Sequence, residues 1–256
     1  MSTTVLALLA TQPAWGTVSI TGGNFAYYED FNDFETLDDL PEWTLRAAGA
    51  SEDPMYLGLD DGSMNTGGAY SYGRTGSSER SFGFLPNNNL AASIIIEFRN
   101  DTSSVINEFF VSADAELWHG EASGSSTSLK FNYIVPGNDP LDRNYDGLDY
   151  HSGQAPINGA ANPGPIDSVQ LSDYAVDRPI LPGETFLFEF FFPVASAGMD
   201  AQGIGFDNFV FAVGRFDGQP INYMENIAAV IPEPSTYAAL AGAAALGLIA
   251  LGRRRQ

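Results

Sequence analysis

The sequence predicts an all-β protein: one two-sheet antiparallel β-sandwich, jelly-roll-like, followed by a single C-terminal transmembrane helix. Three observations carry this. From Thr17 to about Ala212, short runs of Phe, Tyr, Val, Ile and Thr alternate with clusters of Gly, Asn, Asp, Ser and Pro, which is the composition and punctuation of strands. No window in that region holds an amphipathic 3.6-residue period, so helices are not expected there. Tyr237–Gly252, by contrast, is an uncharged apolar run ending in Arg253, Arg254 and Arg255. About ten strands without intervening helices must close as two packed sheets.

The front of the chain reads as a leader. Val5–Ala10 is apolar, and Ala14 and Gly16 place small residues at the −3 and −1 positions of a cleavage site before Thr17. The apolar run is shorter than the usual length of about 7–15 residues and no basic residue precedes it. Its start is therefore expected upstream of Met1. Residues 1–16 are assigned to this signal peptide, with a buried element of the mature fold as the alternative.

Residues 17–213 are assigned to the sandwich. The clearest strand runs are Phe25–Phe31, Trp43–Ala48, Met55–Leu59, Ala69–Tyr72, Ser81–Leu85, Ala92–Arg99, Glu108–Trp118, Leu129–Val135, Thr185–Phe192 and Gly205–Val213. Phe109, Val111, Ala113, Ala115 and Leu117 alternate with Ser112, Asp114 and Glu116, giving that strand one wet and one buried face. Phe186–Phe192 is almost continuously apolar, so a central strand covered on both faces is expected. Phe188, Phe190, Phe206 and Phe209 are expected in the core. Residues 136–182 are too long for a hairpin loop and carry either short strands, with Val169–Leu171 a candidate, or a functional excursion. Residues 214–231 read as a spacer.

Charge and cysteine content exclude several classes. The chain has 32 acidic and 11 basic residues, a formal charge of −21 and no cysteine. Three of the basic residues are the terminal arginines, which leaves eight, with Lys130 the only lysine. Such a surface repels nucleic acid and anionic lipid headgroups, so a nucleic-acid partner is excluded. No disulfide framework supports the fold, which must bury a core of its own.

Candidate chemistry is sparse. Asp142-Arg143-Asn144-Tyr145-Asp146-Gly147 has the D-x-N-x-D-G start of a calcium loop, in which Asp142, Asn144 and Asp146 would converge their oxygens. Position 12 of such a loop is Gly153 rather than Glu, which excludes an EF-hand. A looser calcium site stays open beside an ordinary solvated turn, and no other cofactor is expected. His119 and His151 lack zinc-ligand spacing. There is no G-x-S-x-G elbow, no phosphate loop and no dinucleotide fingerprint. Trp118, Tyr145 and Tyr150 are candidates to stack on sugar rings, while Trp43 reads as core. Glu189 interrupts an apolar strand; it either points to solvent or pairs with Arg99, Arg178 or Arg215.

The last 25 residues hold Pro232-Glu233-Pro234-Ser235, then the apolar run, then the arginines. As a helix the 16-residue run Tyr237–Gly252 covers roughly 24 Å, just short of a hydrocarbon core. The arginines hold the C-terminus in the cytoplasm. These three features in this order resemble the PEP-CTERM sorting signal of bacterial exported proteins. The resemblance implies residues 232–256 as the signal and cleavage near Pro232–Ser235 by a membrane-embedded exosortase. It further implies passage through the inner membrane to the cell surface or matrix, and an association with exopolysaccharide. A plain membrane anchor is the alternative. A second set of stretches is similar to a jelly-roll module common in such proteins: Phe31–Phe34, Pro41–Trp43, Asn65–Gly73, Gly76–Ser81 and Gly203–Phe209. That module brings no settled activity. The expectation is a non-catalytic exported surface protein, in which carbohydrate binding is open; a secreted glycan-active hydrolase is the alternative.

Overall fold

Alternation along the strands separates an inner from an outer face, and two such faces close on each other. The computed structural model describes residues 16–48, 54–87, 89–120, 128–135, 149–151, 167–175, 179–194, 202–216 and 219–220. The first sheet holds β1 (Thr17–Ile20), β3 (Trp43–Ala47), β7 (Ala92–Asn100), β9 (Ser128–Ile134), β10 (Tyr150–His151) and β12 (Thr185–Phe192). The second holds β2 (Phe25–Glu29), β4 (Tyr56–Asp60), β5 (Gly68–Tyr72), β6 (Ser81–Leu85), β8 (Phe109–His119), β11 (Asp167–Ala175) and β13 (Gly203–Val213). Among the described residues the one helix is a 3₁₀ turn at Leu37–Asp39. Arg215–Phe216 and Gln219–Pro220 form a separate ribbon.

Pairing is antiparallel except for β1 with β7 and β4 with β5. One edge of β7 is shared, with β3 along Ala92–Ile96 and β1 along Glu97–Asn100. One edge of β13 is shared likewise, with β6 at Ile204–Phe206 and β2 at Phe209–Val213. At that changeover β13 carries a bulge opposite β8, where Asp207 pairs with Asp114 and Val210 with Ser112. Asn208 takes φ 49° there, a left-handed conformation that Asn tolerates better than most residues. The extra residue resets the alternation, so Ile204 and Phe206 before it and Phe209, Phe211 and Val213 after it all enter one core.

That core is aromatic. Phe190 on β12 stacks on Phe206 on β13 with ring centroids 3.8 Å apart and planes 7° from parallel. Trp43, Phe131 and Phe209 surround the pair. Phe31 sits among Trp43, Phe82 and Phe206 although its φ is 49°. Burial of the ring offsets a backbone strain of about 1–3 kcal/mol. Phe188, Phe190, Phe206 and Phe209 are all in the core, as expected.

One expectation changes and another is extended. β12 is central, between β7 and β9, but its residues alternate between buried and half-buried, so only one face is covered. A two-layer sandwich offers no third layer, and Leu187, Glu189 and Phe191 therefore lie on the outer face. The irregular stretch after Pro136 contains a full strand, β11, paired with β8 over nine residues. The sorting motif Pro232–Ser235, the apolar run and Arg253–Arg255 lie outside the described residues, as do Asp142, Asn144, Tyr145 and Asp146. Among the described residues no helix is long and apolar enough to cross a membrane.

Candidate functional site

β4 and β5 are parallel, so the seven residues Asp61–Gly67 must return the chain to the start of β5. This crossover is pinned to the outer face of the second sheet. The ring Nδ1 of buried His119 lies 2.8 Å from the Gly62 carbonyl, so Nδ1 carries the donated proton. The Tyr70 hydroxyl donates to the Thr66 carbonyl at 2.6 Å. Beneath it Tyr70, Tyr72, Leu85 and Trp118 form a small second core. Tyr70 is pushed up to about 12 by burial and then by the charge of Asp60.

The crossover and the β5–β6 loop, Gly73–Arg80, enclose a cavity of about 320 Å³ at this end of the sheet. The loop is tied at several points. Gly73 N–H donates to the Asp60 carbonyl at 2.9 Å. The Thr75 hydroxyl donates to Asp61 Oδ2 at 3.0 Å. Asp33 N–H donates to the Ser78 carbonyl at 2.9 Å. Gly73 is needed because the Glu79 carbonyl and the Arg80 side chain close on it: a Cβ there would collide with that carbonyl oxygen and come within 2.7 Å of Arg80 Cδ.

Two charged side chains face this cavity from buried positions. Asp60 is 6% exposed, and its Oδ1 accepts the backbone N–H of Ser63 and Met64 at 3.2 and 3.3 Å. Its Oδ2 is buried without a hydrogen-bond partner. Burial first, and then the neighbouring Asp61, raise the Asp60 carboxyl above its ordinary range. Arg80 is 7% exposed and makes no ion pair or hydrogen bond with any described residue. Exposed Leu59 and Met64 form an apolar rim. The site therefore offers a permanent cation and an apolar wall in one small, tied cavity, with an unmatched acceptor buried at its edge. Its donors and acceptors suit a ligand that carries both hydroxyls and an acceptor group.

The residues expected to stack on sugar lie elsewhere. Tyr150 is 4% exposed, in the main core, because its register against Leu129 turns it inward. Trp118 is 3% exposed and parallel to Tyr72 at 6.2 Å, with its Nε1 donating to Glu116 Oε2 at 2.8 Å. Neither presents a face to a ligand. Trp43 is core, as read from the sequence. Glu189 points outward and accepts from Asn132 Nδ2 at 2.8 Å, with the Arg46 charge nearby. Arg99 instead pairs with Asp101 at 3.0 Å.

A second polar cluster lies on the outer face of the second sheet. Asn208 Nδ2 donates to both Asp114 Oδ2 at 2.9 Å and Asp207 Oδ2 at 3.2 Å, and the Tyr28 hydroxyl donates to Asn208 Oδ1 at 2.7 Å. Asp207 is only 2% exposed. Burial, followed by the charges of Glu116, Glu79 and Asp114, pushes its carboxyl up to about 9. The cluster is closed by its own hydrogen bonds and clamps the β13 bulge. Among the described residues no group of acidic and histidine side chains has the spacing of a metal site.

No chemical motif in the sequence marks Asp60, Asp61 or Arg80. The available signal was scarcity: Arg80 is one of eight basic residues outside the tail.

No family model matches the sequence, and no curated protein matches it. Solved structures do align. The enzymatically active domain of tailspike protein 4 from bacteriophage CBA120 is 13% identical with a TM-score of 0.36; the alignment covers 70% of this chain and 20% of that one. This chain thus spans a fifth of the tailspike's length. A cleaved adhesin domain of Lys-gingipain from Porphyromonas gingivalis is 12% identical with a TM-score of 0.42, over 72% and 97% of the two chains. A xylan-binding domain from Paenibacillus barcinonensis is 13% identical with a TM-score of 0.38, over 77% and 99%. At these scores the alignments assign no ligand.

Proposed function

We propose that this protein is an exported, non-catalytic surface or matrix protein that binds carbohydrate in the cavity between the β4–β5 crossover and the β5–β6 loop. One observation carries the binding reading: Arg80, a largely buried cation, lines the cavity and makes no ion pair or side-chain hydrogen bond with any described residue. A largely buried cation left unmatched is costly, and a ligand that supplies acceptor oxygens removes that penalty. Export and processing rest on the Pro232–Ser235 motif, the apolar run and the arginines, which together support exosortase as partner and exopolysaccharide as the setting.

The alternative is a glycan-active hydrolase, and one close pair of carboxylates that could serve it is Asp114 and Asp207. It is disfavoured because Asp207 is sealed and both are bridged by Asn208, which leaves no room for a sugar between them. Calorimetric titration with the hits of a glycan-array screen tests the binding reading. Asp60→Ala is expected to weaken binding at least about tenfold, because it removes a lining side chain and releases the Ser63 and Met64 amides that shape the cavity; unchanged affinity would reject the cavity as the site. Intact-mass analysis of protein made in a native host is expected to show a species without Arg253–Gln256. A chain that keeps them would reduce the tail to an anchor.

A further inference from the structure

We infer that the sugar recognised in this cavity carries a carboxylate, a uronic acid unit, seated on Arg80. The inference deepens the carbohydrate-binding reading and rests on it. Its starting point is an imbalance. The chain has 32 acidic residues for 11 basic ones, so a surface arginine can readily find a carboxylate. Arg80 is buried, yet pairs with none among the described residues.

The two acids lining the cavity, Asp60 and Asp61, make other contacts. Asp61 Oδ2 accepts from Thr75, and Asp60 Oδ1 is held by the amides of Ser63 and Met64. The loop bonds that tie Gly73 to Asp60 and Asp33 to Ser78 fix the frame around the guanidinium. Arg80 is thus a preorganised cation without a counterion among the described residues. A guanidinium is a planar fork of donors whose geometric complement is a carboxylate, bound through two parallel hydrogen bonds.

The rim narrows the ligand further. Leu59 and Met64 offer an apolar edge suited to the C–H face of a ring. A cavity of about 320 Å³ is at the small end of ligand sites and takes a terminal or single sugar unit rather than a long chain. A carboxylate and an apolar ring face on one small sugar unit describe a uronate. The protein's negative field repels polyanions at long range, so selection acts at contact, through this one fork.

The test is calorimetric titration of the full chain with tri-galacturonate and tri-glucuronate, each beside its carboxyl-reduced, neutral counterpart. An acidic trisaccharide is expected to bind at least about tenfold more tightly than its reduced form, the effect of one charge-assisted bidentate contact. Arg80→Gln is expected to remove that preference, and Arg80→Lys, which keeps the charge but loses the fork, to retain only part of it. Melting curves of both variants report their folding, and the comparison on the unmodified protein decides the question should a variant not fold. Equal binding of acidic and reduced sugars, or a preference that survives Arg80→Gln, overturns the uronate inference and leaves the carbohydrate reading standing. No binding of either pair, with neutral glycans bound elsewhere on an array, also overturns it. No glycan binding of any kind removes both.

Discussion

Phe190→Ala is the substitution whose effect the structure fixes most tightly. The ring is 1% exposed. It lies face to face on Phe206 at 3.8 Å and has Trp43, Phe131 and Phe209 at 6.2, 5.3 and 5.7 Å. Truncating a buried Phe costs about 3–5 kcal/mol through lost transfer energy and the cavity left behind. Aromatic pairs add about 0.5–1.5 kcal/mol beyond burial, and this ring has four such neighbours, so a loss of about 4 kcal/mol is expected. Equilibrium urea unfolding measures it. With an m-value near the top of the usual range of about 1–3 kcal/mol per molar, the midpoint should fall by more than about 1 M. Phe191, next in sequence but half-buried on the outer face, is the internal control, and its truncation should cost less than half as much. Equal losses at the two positions, or a loss below about 1 kcal/mol at Phe190, would refute the assigned register of the central strand.

Further outcomes follow from the second sheet. The unfolded Asp207 carboxyl ionises near pH 4, whereas in the fold burial and neighbouring acids push it up to about 9. Between these values the folded state holds the extra proton, so stability falls as pH rises through the window. Asp207→Asn should reduce the slope of urea midpoint against pH between about 5 and 9; an unchanged slope would contradict the assignment. Glu29, Glu116 and Asp60, also raised by burial, leave a residual slope of the same sign. Gly203→Ala places a Cβ against the Tyr72 hydroxyl and 2.9 Å from His119 Cβ. Overpacking of this kind should cost about 1–3 kcal/mol by thermal unfolding. Gly23→Ala, which meets nothing within 4 Å, should change stability by less than about 0.5 kcal/mol.

Strand placement was largely legible because the apolar runs are long and aromatic. Thr185–Phe192 and Ser81–Leu85 match their strands residue for residue, and most other runs agree within two residues. β11 was legible only as Val169–Leu171, because Asp167, Ser168, Gln170, Ser172 and Asp173 dilute its apolar content. The outer face of β12 misled for the opposite reason. Leu187 and Phe191 are apolar but half-buried, and composition does not separate a covered face from an uncovered one. The bulge at Asn208 was hidden in the phase of Phe206 and Phe209, three apart, which breaks a two-residue period. Trp118 read as exposed because it ends a strand; nothing local reveals that the β4–β5 crossover pins a second core over it. The cavity brings Asp60 and Arg80 together only through the parallel pairing of β4 with β5. Parallel pairing joins residues that no short-range pattern connects.

The binding reading is tested most directly by mapping where a ligand lands. Backbone amide chemical shifts of the isotope-labelled protein, followed during titration with an array-positive oligosaccharide, report this residue by residue. Saturable shifts concentrated at Asp60–Met64 and Gly73–Arg80, and absent in Asp60→Ala, are the predicted result. Shifts confined to the outer face of the first sheet, around Glu97, Asn132 and Glu189, would contradict it.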